Sequence, residues 1–254
     1  MHWSNFPASL RIWTIASVLA LLVCFGVIWA QIVPPAPNQA PPTQTPASPA
    51  VVTPPRPAVM IDPAHGGSES GAVLSPVILE KDVNFAFARR LRQDLTSRGI
   101  LSQLTREADV NLSTDDRAAK ANAAHPLLYI CLHASSEGGG ATLFSAILPE
   151  AVNNNGPFID WNTAQSASLA ASRTVEQQLA GSLQRSGISA RALMAPVQPL
   201  NSVTAPALAI EISPTGADVS QLIAPEFQQK ISVALANGIA GIIPALAQSS
   251  GAQH

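Results

Sequence analysis

The first strongly patterned stretch is Ile12–Ala30, IWTIASVLALLVCFGVIWA, which runs 19 residues without a charge. As a helix it would reach about 28 Å, close to the hydrocarbon thickness of a bilayer. Trp13 and Trp29 lie near its ends, where amphipathic rings favour the membrane interface. A cleaved signal peptide would carry a shorter apolar core and a small-x-small cleavage site, and neither WAQ nor AQI supplies one. The pattern therefore predicts an uncleaved transmembrane signal anchor over residues 12–33. Arg11 precedes it and nothing acidic does, so residues 1–11 are expected in the cytoplasm and the rest of the chain outside it. Pro34–Pro57, PPAPNQAPPTQTPASPAVVTPPRP, has no apolar periodicity and reads as a semi-extended linker.

From Ala58 onward short apolar runs alternate with helical periodicity. Ala58–Ile61 is a strand running into Asp62. Val83, Phe87, Leu91 and Leu95 recur at i,i+4 within Lys81–Arg98, and Gly99 follows as a helix stop. Leu101–Thr105 is a strand. Ser113 caps a helix over Thr114–Ala124, with Asp116 completing a carboxylate variant of the capping box. Leu127–His133 and Thr142–Leu148 are further strands, and Ala164–Ser186 is a helix closed by Gly187. Ala192–Pro196 is a short strand and Ala207–Ser213 the last one. Pro225 opens a final helix bearing Phe227, Ile231, Leu235 and Ile239. The expectation is one α/β domain over 58–254, a central mostly parallel sheet with helices on both faces. Glu150–Gln165 has room for a small lid.

Charge narrows the function classes. Of 14 basic residues only Arg11 and Arg56 precede position 59, and all 16 acidic residues follow it. The domain is mildly acidic, without a basic stripe interleaved with aromatics, which argues against nucleic acid as a partner. Cys24 lies in the apolar anchor and Cys131 in an apolar strand, so no intrachain disulfide is expected.

One carboxylate breaks the apolar pattern. Glu211 sits in ALAIEIS, otherwise a buried strand, and a buried carboxylate needs a partner. Ligands in open α/β sheets collect beyond the carboxyl ends of strands. His65 lies there in DPAHGG and His133 ends LLYICLH, while Glu80 opens the first helix. Two histidines and a carboxylate are a standard protein set for catalytic zinc, and a second carboxylate serves as general base to the water. His65, Glu80 and His133 are the candidate ligands of one Zn2+ ion and Glu211 the candidate base. Structural readings compete: Glu69 as the carboxylate ligand, His133 as a core histidine, Glu80 as a first-turn glutamate, and Glu211 as a salt-bridge partner of Arg106 or Arg191. Asp62 is expected to orient the His65 loop, and Arg106, Arg117 and Asn122 to serve in salt bridges and capping.

The series VMIDPAHGGSESGA, LEKDVNFAFARRLRQDL, LTRE, DRAAKANAA with LLYICLHAS, and PALAIEIS resembles the zinc-dependent N-acetylmuramoyl-L-alanine amidases of the Amidase_3 family. The resemblance spans about residues 58–245. It implies that His65, Glu80 and His133 bind zinc and that Glu211 is catalytic. It also implies hydrolysis of the amide between N-acetylmuramic acid and the L-alanine of the peptidoglycan stem. Three departures bear on substrate fit and rate. Ala64 stands where a glycine is usual, which would strain the loop if that position needs a positive φ. CLHAS replaces a SIHAN-type motif, and EISPTG replaces a glycine-phenylalanine continuation. The rival readings are a non-catalytic peptidoglycan-binding or regulatory module with the same fold, and a zinc peptidase cutting within the stem. The anchor implies a single-pass inner-membrane protein with a periplasmic domain, and an unknown protein activator is a further expected partner.

Overall fold

The computed structural model describes residues 58–148 and 160–251. The expected cytoplasmic tail, membrane anchor and linker, and most of the expected lid, lie outside the described residues.

Among the described residues eight strands form in chain order: β1 (Val59–Pro63), β2 (Val73–Ser75), β3 (Ile78–Leu79), β4 (Ser102–Leu104), β5 (Leu128–Ala134), β6 (Gly140–Ala146), β7 (Ala190–Ala195) and β8 (Ala207–Ser213). The helices are α1 (Glu80–Thr96), α2 (Thr114–Ala124), α3 (Leu169–Arg185) and α4 (Pro225–Gly251). Six strands share one sheet in the order β4-β1-β5-β8-β6-β7. The run from β4 to β8 is parallel, β6 is antiparallel to β8, and β7 is parallel to β6. The sheet is therefore mixed around a parallel core. The reversal at β6 has a local cause. The interval between Ala134 and Gly140 is far shorter than the dozen or so residues a parallel crossover needs. The chain must turn back, and β8 later fills the gap between β5 and β6. Gly140, at φ 104°, makes the entry possible, because a Cβ there would run into the Ser189 carbonyl oxygen.

Helices cover both faces unequally. On one side α1, α3 and α4 pack over Val59, Ile61, Leu128, Ile130, Leu208 and Ile210. The periodic residues of α1, Val83, Phe87, Leu91 and Leu95, are all at most 2% exposed, and each contributes roughly 2 kcal/mol by leaving water. The other side is thinner: Ala118 and Ala121 of α2, with Leu200 and Val203, cover Met60, Tyr129, Ala207 and Ala209. Ser113 caps α2 through Asp116 N–H in a reciprocal capping box, as the sequence predicts. The helix expected from Ala164 begins instead at Leu169, after a 3-10 segment over Trp161–Ser168 that Asp160 caps.

α4 is long and apolar enough to cross a membrane by length and composition. Its Ile231, Leu235, Ile239, Ile242 and Leu246 are buried against the core, so packing accounts for its apolar content.

The sequence pattern missed the β2–β3 hairpin. It is short, paired antiparallel from Val73 to Leu79, and turns through Pro76 and Val77. Its role is positional, because it delivers Glu80 to the start of α1 beside the loop that follows β1.

Candidate functional site

Strand alternation sets the stage. In β5, Tyr129, Cys131 and His133 point to the α2 side, while Leu128, Ile130, Leu132 and Ala134 point into the larger core. Asp62 of β1 is the register partner of Cys131, and Glu211 of β8 is the register partner of His133. Paired positions in parallel neighbours project to the same face, so these chemistry-bearing groups share one face near the carboxyl ends of their strands.

His65 follows β1 in a loop held by two arginines. Arg106 Nε donates to the Pro63 carbonyl (3.0 Å), and Arg117 donates to the carbonyls of Pro63 (3.0 Å) and His65 (2.8 Å). Asp62 accepts from Arg117 at 2.6 Å, so it orients the loop through that arginine, as expected. Arg106 and Arg117 thus do the structural work assigned to them. Asn122 does likewise, fastening the Ser202–Thr204 loop. The strain expected at Ala64 is not there. Positive φ falls on His65 (64°), Gly66, Gly67 and Gly71, so an alanine at position 64 suffers no left-handed conformation. The imidazole-bearing residue itself takes the strain, of order 1–2 kcal/mol, as residues at functional sites often do.

Glu80 is 6% exposed and joins the two histidines. Its Oε1 lies 2.9 Å from His133 Nδ1, and its Oε2 lies 3.2 Å from His65 Nε2. The Ala72 N–H donates to Oε2 at 2.9 Å, a contact that the β2–β3 hairpin closes. Burial opposes ionisation of Glu80, but the hydrogen bonds from His133, His65 and the Ala72 amide outweigh it, and its carboxylate is held far below the usual range. The hydrogen bond to Glu80 raises the His65 pKa against an opposing contribution from burial. The two imidazole rings meet edge to face, 5.4 Å apart at 82°.

The ligand atoms of His65, Glu80 and His133 all lie within 4.8 Å of one another. Ligands about 2.0–2.1 Å from a tetrahedral zinc stand roughly 3.3 Å apart, and two of the three pairs already sit at 2.9 and 3.2 Å. The set fits a borderline cation such as zinc. Gly71 shapes this pocket: a Cβ there would stand 2.6 Å from both Glu80 Oε2 and His65 Cδ2. Glu69, the alternative carboxylate ligand, instead meets the far nitrogen of His65, with Nδ1 to Oε1 at 2.9 Å, and stands outside the trio.

Glu211 departs from the sequence expectation in one respect. It is partly exposed rather than buried, because the α2 layer covers Ala207 and Ala209 on the same face and stops short of it. It lies between His133 of β5 and Thr142 of β6 in register. Among the described residues its carboxylate makes no hydrogen bond or ion pair. Arg106 is engaged with backbone carbonyls and Arg191 with Thr142, so neither pairs with it. A cavity of about 140 Å³ opens beneath the histidines, lined by His65, Glu69, Ser113, Arg117, His133 and Gln198 among others.

Comparisons with known proteins agree with the fold. The Amidase_3 family model, described as N-acetylmuramoyl-L-alanine amidase, matches residues 59–241. The endolysin of Bacillus phage SPP1 is 40% identical over 81 residues, 32% of this chain and 30% of that protein. The amidase AmiC of Escherichia coli O6:H1 is 33% identical over 114 residues, 42% of this chain and 27% of that protein. The chain thus spans less than a third of the length of either curated relative. Among solved structures, the catalytic domain of the amidase CwlV from Bacillus (Paenibacillus) polymyxa superposes with a TM-score of 0.57 at 22% identity, covering 74% of this chain and 98% of that one. At that identity the likeness concerns the fold.

Proposed function

Because the chain belongs to the Amidase_3 family of N-acetylmuramoyl-L-alanine amidases, we propose that it is a peptidoglycan hydrolase. It cleaves the amide between the lactyl group of N-acetylmuramic acid and the L-alanine of the stem peptide. The observation that carries the reading is the convergence of His65, Glu80 and His133 within 4.8 Å beside the strand that bears Glu211. These three residues hold one zinc ion, which acidifies water and polarises a carbonyl when bound. Glu211, unpaired and partly exposed, takes the proton of the attacking water and passes it to the leaving amine. The left-handed loop brings His65 to Glu80 from the β1 side, and β5 brings His133 from beneath. The non-catalytic alternative is not favoured, because a binding module needs neither the intact trio nor a free carboxylate next to it.

The apolar run at 12–33 serves as an inner-membrane anchor, with the domain on the periplasmic side. The Pro-rich stretch over 34–57 links that anchor to the domain. Full-length protein supplied with zinc and incubated with purified peptidoglycan is expected to release intact stem peptides beginning at L-alanine, detected by mass spectrometry, and a chelator is expected to stop the release. Cleavage inside the stem would instead identify a peptidase, and an uncut wall would refute hydrolysis.

A further inference from the structure

Each imidazole of the trio turns one nitrogen toward Glu80, leaving Nδ1 of His65 and Nε2 of His133 facing the protein. A neutral imidazole has one N–H and one lone pair, and the partner of one nitrogen decides which is which. For His65 that partner is the Glu69 carboxylate. For His133 it is a thiol, with Cys131 Sγ 3.5 Å from Nε2. The same sulfur lies 3.5 Å from Asp62 Oδ2. A carboxylate only accepts, so the S–H points to Asp62 and the sulfur meets Nε2 as an acceptor. Nε2 then carries a ring proton, so a cation bound beside Glu80 Oε1 would take the lone pair of Nδ1 and displace the proton that this nitrogen shares with Glu80 in the metal-free chain.

We propose that Cys131 is a positioning residue which, together with Asp62, fixes His133 in the tautomer and ring orientation that bind metal through Nδ1. The inference rests on the reading of His65, Glu80 and His133 as metal ligands.

The arrangement follows from strand geometry. Cys131 and His133 are two apart on β5 and share a face, and Asp62 is the register partner of Cys131 across to β1. Asp62 cannot drift. It is fully buried and also accepts from Thr105 Oγ1, from Arg117 Nη1 at 2.6 Å and from Tyr129 Oη at 2.6 Å. Cys131 is 1% exposed and held within the sheet. The sequence marks this residue only as a small core side chain. Its contacts make it the link between a rigid buried carboxylate and a candidate ligand. An apolar side chain at 131 would leave the Nε2–H without its acceptor, whereas a serine hydroxyl both donates and accepts as the thiol does.

The test is zinc affinity, measured on full-length protein stripped of metal and titrated with zinc against a chromophoric chelator. Cys131→Ala removes the thiol and its hydrogen bonds, Cys131→Val replaces it with a somewhat bulkier apolar side chain, and Cys131→Ser restores a group that donates and accepts. Partners that orient a metal-binding histidine are typically worth 10–100-fold in affinity, so Cys131→Val and Cys131→Ala are expected to weaken zinc by on the order of tenfold or more, with Cys131→Ser within about threefold of the native chain. The absorption bands of the cobalt-loaded protein are expected to shift in Cys131→Val and not in Cys131→Ser. Native-like affinity in Cys131→Val overturns the inference, as does a loss in Cys131→Ser equal to that in Cys131→Val. A native chain that takes up no zinc is a separate result, which removes the metal reading and this inference with it.

Discussion

At the scale of single residues, in the proposed reading the site divides labour between groups that hold a cation and one that moves a proton. Glu80 sits between the histidines with both oxygens engaged, whereas Glu211 stands free on the neighbouring strand. Glu211→Gln is therefore expected to bind zinc with native affinity and to lose at least about a hundredfold in turnover, the scale of a general base. Equal turnover in that variant would reassign the base. Gly71 makes the opposite kind of contribution. Its φ is 67°, and an added Cβ would press on Glu80 Oε2 and the His65 ring. Gly71→Ala is expected to lower zinc affinity by on the order of tenfold by displacing a ligand, with the folded core intact by circular dichroism. The sequence singled out the four candidate residues, because each is a polar group in a motif that follows, interrupts or ends an apolar run or opens a helix. It did not reveal Gly71 or Cys131, whose importance comes from what lies across the fold from them.

At the scale of elements, periodicity identified the parts that depend on one face being apolar. The boundaries of α2 and β8 match the expectation, since a capping box and an apolar run fix them locally. The β2–β3 hairpin and the 3-10 segment before α3 escaped because neither is long enough to show a period. The antiparallel β6 escaped for another reason: strand direction lies in loop length and not in apolar pattern. One contact shows how an element secures the sheet's far edge. Glu176 of α3 is 4% exposed, and its Oε1 accepts from the Ser145 amide of β6 (3.0 Å) and the Leu193 amide of β7 (3.1 Å). Burial raises its pKa, although these amides pull it back in part. A carboxyl whose folded pKa is raised costs stability above that pKa, where both folded and unfolded chains are ionised, and costs nothing once both are protonated. Glu176→Gln keeps an oxygen for the same two amides without the charge. It is expected to melt at or above the native temperature at pH 7.5, with the difference shrinking as the pH falls into the carboxylate range. Calorimetry across that range checks it, and a variant less stable at pH 7.5 than at pH 4, relative to native, would reverse the assignment.

At the scale of the whole domain, the trio ties together three parts of the chain far apart in sequence: the loop after β1, the start of α1 and the end of β5. β1 and β5 are also neighbours in the sheet and α1 packs on both, while His65 itself hangs on a left-handed loop. In the metal-free fold the imidazole protons of His65 and His133 hold the Glu80 carboxylate, and a cation would take their place between the three groups. A cation that binds only the folded chain adds about 2.7 kcal/mol when its concentration is a hundred times its Kd. For a domain of this size, each kcal/mol moves the melting temperature by roughly 2–4 °C. Zinc at that excess is therefore expected to raise Tm by roughly 5–10 °C, and a chelator to return it to the metal-free value as hydrolysis stops. Glu80→Ala, which removes the bridging carboxylate, is expected to abolish the zinc-dependent rise. A rise that persists in Glu80→Ala would mean that zinc stabilises the domain somewhere other than between these two histidines.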